Sequence, residues 1–153
     1  IMAGMAHARA RWDEHHAAAV DESIPHPLRH RASHGNRLSE DADATAASLA
    51  EDVVFHSPVV FAPYRGRVAV GGLLRCVMRV FTEFRYTDEL RSNGQTALAF
   101  TARVGGRDLE GIDLITVDAS GLVAHLTVMV RPMSAAIALA EAMRAEIAKQ
   151  MAS

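Results

Sequence analysis

Residues 84–131 read FRYTDELRSNGQTALAFTARVGGRDLEGIDLITVDASGLVAHLTVMVR. Four segments of this stretch, roughly 84 to 91, 96 to 104, 107 to 117 and 122 to 131, are rich in the β-branched, aromatic and aliphatic residues that strands favour. Ser92-Asn93-Gly94, Gly105-Gly106 and the turn from Asp118 to Gly121 separate these segments. Because connections this short join antiparallel neighbours, the sequence predicts a four-stranded antiparallel meander.

Apolar residues at helical spacing precede the meander. Between Arg67 and Phe84 they share one face while Arg75 and Arg79 lie on another, which predicts an amphipathic helix. The apolar positions are Val70, Leu73, Leu74, Val77, Phe81 and Phe84.

Two further helices and one strand complete the pattern. Asp41 or Asp43 can cap a short alanine-rich helix that reaches Ala50, and residues 53–55 form a β-type run ended by Ser57-Pro58. After the meander, Ser134 is a candidate N-cap for a last helix. Its predicted apolar stripe consists of Ile137, Ala140, Met143 and Ile147.

This order of elements indicates an α+β protein rather than alternating βαβ units. We expect a curled antiparallel sheet wrapped around the helices. Such a sheet, closed on one side by helices, encloses a cone with a pocket at its mouth.

The composition of the chain changes near residue 38. Six of the eight histidines, together with Pro25 and Pro27, precede it, and the apolar residues there show no sustained period. We therefore expect residues 1–37 to be a tail, poorly ordered or partly helical, and residues 38–153 to be the folded domain. His15 and His16 are adjacent, so they do not share a helical face, and we expect no metal site.

The overall charge argues against several classes of partner. Sixteen basic residues balance eighteen acidic ones, for a net charge of −2, so we expect neither nucleic acid nor a membrane surface as partner. The single cysteine, Cys76, cannot form an internal disulfide, and neither a signal-peptide pattern nor a long apolar segment is present. These features favour a cytoplasmic protein, and the chain contains no cofactor motif.

Several short motifs resemble those of nuclear transport factor 2-like proteins, notably their SnoaL-like branch. The stretch LAEDVVFHSP at residues 49–58, followed by YRGR at 64–67 and a helix, is similar to the first strand and second long helix of that family. EGID at 110–113 and SGLV at 120–123 match the end of its pattern. The resemblance covers about residues 40 to 131 and implies the cone fold, but the same cone hosts isomerases, cyclases, hydrolases and non-catalytic binders.

Ketosteroid isomerase is a member of this superfamily, and this chain retains one of its three catalytic positions. Its general-base aspartate directly precedes a proline at the end of the first strand, where this chain has Ser57. Its oxyanion-hole tyrosine corresponds to a position near Ser33. Its protonated aspartate matches Asp113, which precedes Gly121 and Val123 at closely similar spacing.

Asp113 is accordingly the first candidate catalytic residue. Period-2 alternation places it on one face with Leu109, Gly111 and Ile115. If that face is the cone interior, desolvation disfavours the charged carboxylate and suits it to acid/base chemistry. The alternatives are an aspartate on the outer face and one that is paired with Arg103.

His56 is the second candidate catalytic residue, as a base, although a lone histidine at a strand end is more often a structural residue. His56 and Ser57 cannot both face inward on a regular strand, so only one is expected at the pocket. The remaining candidates for substrate binding are two hydroxyls, those of Ser57 and Tyr86, and an apolar wall that core packing explains about equally well. The wall residues are Phe55, Leu73, Leu74, Phe100, Leu126, Val128 and Val130.

Three functions fit these residues. The first is a protein that binds a small hydrophobic molecule in an apolar pocket, with Asp113 as its carboxylate anchor. The second is a SnoaL-like isomerase or cyclase that uses Asp113 for proton transfer on a hydrophobic cyclic or polyketide-like substrate. The third is a non-catalytic interaction module. A pocket filled by side chains would leave only this third function.

We also expect a homodimer formed through the outer sheet face, as is common in the superfamily.

Overall fold

The computed structural model describes residues 44–152. Residues 44–47 are helical, and the chain continues through eight elements. These are β1 (Leu49–His56), β2 (Tyr64–Arg65), α1 (Arg67–Val80), β3 (Thr82–Ser92), β4 (Gln95–Val104), β5 (Arg107–Val117), β6 (Val123–Arg131) and α2 (Met133–Met151). The expectations for residues 1–37, for Ser33 and for a cap at Asp41 or Asp43 lie outside the described residues.

The predicted α+β fold is confirmed, and its sheet has the strand order β2-β1-β6-β5-β4-β3. Strands β3 to β6 form the predicted antiparallel meander. One pairing differs from the expectation, because β1 runs parallel to β6 and the sheet is therefore mixed. The two strands are far apart in sequence and no tight turn joins them, so the relative direction of this pair is set by tertiary packing rather than by a hairpin.

Residues with positive φ form the two tight hairpins of the meander. Asn93 and Gly94 have φ of 48° and 77° between β3 and β4, and Gly105 and Gly106 have 55° and 75° between β4 and β5. Positive φ at both central residues is the turn geometry that matches the right-handed twist of paired strands. These turns fix the register that brings Phe100 opposite Gly111 and Leu98 opposite Asp113.

Burial alternates along the central strands and identifies the inner face of the sheet. Leu109, Gly111, Asp113 and Ile115 of β5 are buried while their neighbours are more exposed. Gly111 permits close packing here, because a Cβ at that position would overlap the Phe100 ring and lie 2.7 Å from the carbonyl oxygen of Met129. The alternation predicted for β5 is therefore the one that the fold uses.

Both long helices lie against this inner face. Helix α1 packs on β1 and on α2, and α2 packs on β4, β5 and β6. The start of α2 differs from the expectation, since Pro132 is its N-cap residue and no side chain caps it. Its buried residues are Ala135 and Leu139, whereas Ile137 is exposed. Within residues 44–152, no helix has the length and apolarity that crossing a bilayer requires.

Candidate functional site

An apolar cavity of about 270 Å³ lies between the two long helices and the inner face of the sheet. Helix α1 contributes Leu73, Leu74 and Val77, and Phe81 follows it. On the opposite side, α2 contributes Leu139, Ala140, Met143, Arg144 and Ile147. The floor includes Val128 of β6.

The end of β1 and the loop behind it form the remaining wall. Phe55, Ser57 and Tyr64 line the cavity here, together with residues 58–60. The Phe55 and Tyr64 rings are stacked, with centroids 6.1 Å apart, which holds the β1–β2 connection against the core. Ser57 shapes the turn after the strand, because its Oγ accepts hydrogen bonds from the backbone N–H groups of Val59 and Val60 at 3.1 and 3.3 Å.

Among the lining residues that the structure describes, Ser57, Tyr64 and Arg144 are the ones with polar side-chain atoms. All the other lining side chains are hydrocarbon or thioether, so the wall offers dispersion contacts and few directional ones. The three polar residues come from separate elements. Arg144 lies on the α2 face that also carries Ala140 and Ile147, which are four residues before it and three after it.

A hydrogen-bonded polar pair lies in the core beside the cavity. The Tyr86 hydroxyl on β3 donates to Oδ2 of Asp113 on β5 at 2.9 Å. Asp113 is 2% exposed and is the register partner of Val128, a residue of the cavity wall. Asp113 itself does not line the cavity, so the structure places the carboxyl group behind the wall rather than at its surface.

The predicted site residues other than Asp113 divide into three groups. Phe55, Ser57, Leu73, Leu74 and Val128 line the cavity. Four others belong to the hydrophobic core or pack against it and do not line the cavity: Tyr86, Phe100, Leu126 and Val130.

His56 forms the third group. Its side chain is exposed, and it lies outside the cavity lining. Ser57 is thus the one of these two neighbours that reaches the cavity. Asp113 is inward and paired with Tyr86 rather than with Arg103, whose carboxylate partners are Asp108 and Glu83.

Sequence reasoning did not place α2 at the cavity. The expected apolar stripe included Ala140, Met143 and Ile147, and all three line the cavity. Arg144 lies four residues after Ala140 and three before Ile147, so helical spacing alone could have placed it on that face. Because charged residues are usually assigned to the solvent-exposed face of a helix, Arg144 was not among the predicted site residues.

The structure also bears on metal binding by residues 44–152 and on the reactivity of the Cys76 thiol. Residues 44–152 contain no group of three or more histidine, cysteine or carboxylate side chains that could hold a metal ion. Burial raises the pKa of the Cys76 thiol, and the nearby Glu146 carboxylate raises it further. Cys76 is therefore kept in its less reactive thiol form, as expected for a packing residue.

Comparisons with known proteins identify structural relatives. No protein-family model matches the chain, and no curated protein matches it significantly. The chain is similar to a crystal structure of a steroid delta-isomerase from Pseudomonas aeruginosa, with 38% identity and a TM-score of 0.72 over 76% of this chain and 88% of that one. It is also similar to an uncharacterized bacterial protein with a cystatin-like fold from Silicibacter pomeroyi DSS-3, with 33% identity and a TM-score of 0.72 over 82% and 88%.

A more distant structure shares the fold alone. The NTF-2 like protein of unknown function from Burkholderia xenovorans LB400 is 17% identical, with a TM-score of 0.57 over 71% of this chain and 83% of that one.

Proposed function

We propose that this chain, which belongs to the nuclear transport factor 2-like superfamily, binds a small apolar molecule in the cavity between its two long helices and its sheet. The observation that carries this proposal is the cavity wall, whose described side chains are all apolar except those of Ser57, Tyr64 and Arg144. Ligand sites are usually concave, largely apolar and supplied with a few oriented polar groups.

Packing alone does not account for a space of this size. Protein interiors are close-packed and leave few voids larger than a water molecule. The side chains of residues 44–152 leave about 270 Å³ unfilled between α1, α2 and β6, and each of these elements contributes lining residues. Had side chains filled this space, only the interaction-module hypothesis would have remained. An open apolar site supports a ligand whose hydrocarbon surface completes the packing.

A neutral fluorescent probe tests the proposal. N-phenyl-naphthylamine should bind and gain fluorescence as it leaves water. Leu73→Trp adds an indole to the wall, so it should occupy the cavity and weaken probe binding at least about tenfold. Val68→Trp is the matched control, since Val68 is exposed on the same helix and does not line the cavity. Equal probe affinity in both variants would contradict the proposed site.

An isomerase is the second candidate function. Two observations favour it: the similarity to a protein named a steroid delta-isomerase, and the buried Tyr86–Asp113 pair next to a wall residue. Against a complete isomerase site, Ser57 stands where the base aspartate of ketosteroid isomerase is expected, and none of the described lining residues carries a carboxylate or an imidazole. Binding therefore remains the first proposal.

Turnover of a β,γ-unsaturated ketosteroid to its conjugated isomer tests the second candidate. If the protein is an isomerase, the conversion should be catalytic, and Asp113→Asn should abolish it while leaving N-phenyl-naphthylamine binding in place. Asn keeps the shape and can donate a hydrogen bond but cannot exchange a proton in the same way. Turnover that survives Asp113→Asn would exclude Asp113 as the acid/base group.

A further inference from the structure

We propose that the ligand of the cavity is an amphipathic carboxylate, with its apolar body between the helices and its carboxylate bound by Arg144 at the rim. This inference rests on the proposed binding function and names the class of ligand. It follows from the three polar groups of the lining, Ser57, Tyr64 and Arg144, and from the hydrogen-bonding capacity that each has left.

Ser57 has its acceptor capacity committed within the protein. A hydroxyl oxygen has two acceptor lone pairs and one O–H donor. Its Oγ accepts from the backbone N–H groups of both Val59 and Val60. What remains for a ligand is the O–H donor, so Ser57 favours an acceptor atom in the cavity.

Arg144 can only donate, and it carries a positive charge. It forms no ion pair or hydrogen bond with any side chain in residues 44–152, whereas Glu146, two residues on, interacts with Arg79 at 3.0 Å and Lys149 at 4.0 Å. The guanidinium group is thus available to a ligand at the cavity rim. Tyr64 adds a phenol that can also donate.

The charge balance of the lining favours a monoanion. Among the lining residues within 44–152, Arg144 is the one cation and none is acidic, so these residues match one negative charge and not a second. A planar carboxylate also fits the parallel N–H donors of a guanidinium group in a bidentate arrangement. A neutral apolar ligand would leave Arg144 unused, and a cation would be repelled by it.

A pair of nearly isosteric probes separates charge from shape. Naphthylacetic acid, ionised at neutral pH, and naphthylacetamide have the same ring system and differ in the terminal group. Calorimetric titration should show that the carboxylate binds about tenfold more tightly than the amide, and less so as salt is added. Arg144→Gln should weaken carboxylate binding about tenfold, so that the acid and the amide bind with similar affinity.

Lys149→Gln is the matched control, because it removes the same charge from the same helix outside the cavity lining. It should keep the preference for the carboxylate. The carboxylate proposal would be overturned if acid and amide bound equally and Arg144→Gln had no effect. If Leu73→Trp still weakened the binding of both probes, the proposed binding function would stand. Binding of neither probe at millimolar concentration would contradict both proposals.

Discussion

At position 111 the inner face of the sheet has room only for a hydrogen atom. Gly111→Ala should destabilise the protein by about 2–3 kcal/mol, because the added methyl overlaps the Phe100 ring and crowds the Met129 carbonyl oxygen. Gly72→Ala is the control within α1, where the new Cβ meets only the Arg75 guanidinium at 3.9 Å. It should stabilise the protein by about 0.4–1 kcal/mol. Urea unfolding measures both, and equal effects would refute the packing argument.

The hydrogen bond from Tyr86 to Asp113 should contribute to the stability of the fold. Tyr86→Phe should cost about 1–3 kcal/mol, since it removes the hydroxyl that donates to a buried carboxyl oxygen. Tyr64→Phe makes the same chemical change on the cavity wall, where no described residue hydrogen-bonds to the hydroxyl, and should cost less than about 0.5 kcal/mol. Chemical denaturation of both variants provides the comparison. Similar losses would show that the Asp113 contact contributes nothing.

The Cys76 thiol makes stability depend on alkaline pH. Burial raises the folded-state pKa of Cys76 above its ordinary value of 9.0, so the unfolded chain loses this proton first as pH rises. The thiol's contribution is fully present below the unfolded value and is lost as pH rises through the folded value. The free energy of unfolding should therefore fall as the pH rises above about 9, and less steeply in Cys76→Ala. Identical slopes for the two proteins would remove Cys76 as the cause.

Helix α2 shows at the element scale how packing selects one face. Leu139 is 2% exposed and lines the cavity, whereas Ile137, two residues earlier, is 55% exposed. Leu139→Ala should cost about 2–5 kcal/mol and enlarge the cavity. Ile137→Ala should cost less than about 0.5 kcal/mol, although both changes remove large aliphatic side chains. Thermal and urea unfolding distinguish the two, and a larger loss at Ile137 would show that the helix packs through another face.

At the scale of the whole molecule, the outer sheet face is the predicted dimer surface. Ile112 and Met129 are register partners there, 41% and 51% exposed, and outward threonines such as Thr127 surround them. We expect a homodimer by light scattering at high micromolar concentration. Met129→Glu should give a monomer, because pairing would desolvate the new carboxylates. Met133→Glu is the control at another exposed methionine. A monomeric unaltered protein would disprove the dimer.

Local chemistry made much of the fold predictable. Asn93-Gly94 and Gly105-Gly106 indicated tight hairpins, and the structure has both with positive φ. Alternation in β5 grouped Asp113 with Leu109, Gly111 and Ile115 on one face, and the structure buries that face. Residues in one strand or one turn constrain each other through covalent geometry, so such features can be read without knowing the rest of the chain.

The sequence by itself determined the α+β class, the meander and the family resemblance, since each depends on residues close together in the chain. Only the tertiary structure decided that β1 runs parallel to β6, that Tyr86 rather than Arg103 partners Asp113, and that Arg144 joins the cavity wall. It also decided that Ser57 rather than His56 reaches the cavity. These outcomes depend on contacts between distant segments, whose geometry follows from packing and loop closure rather than from local periodicity.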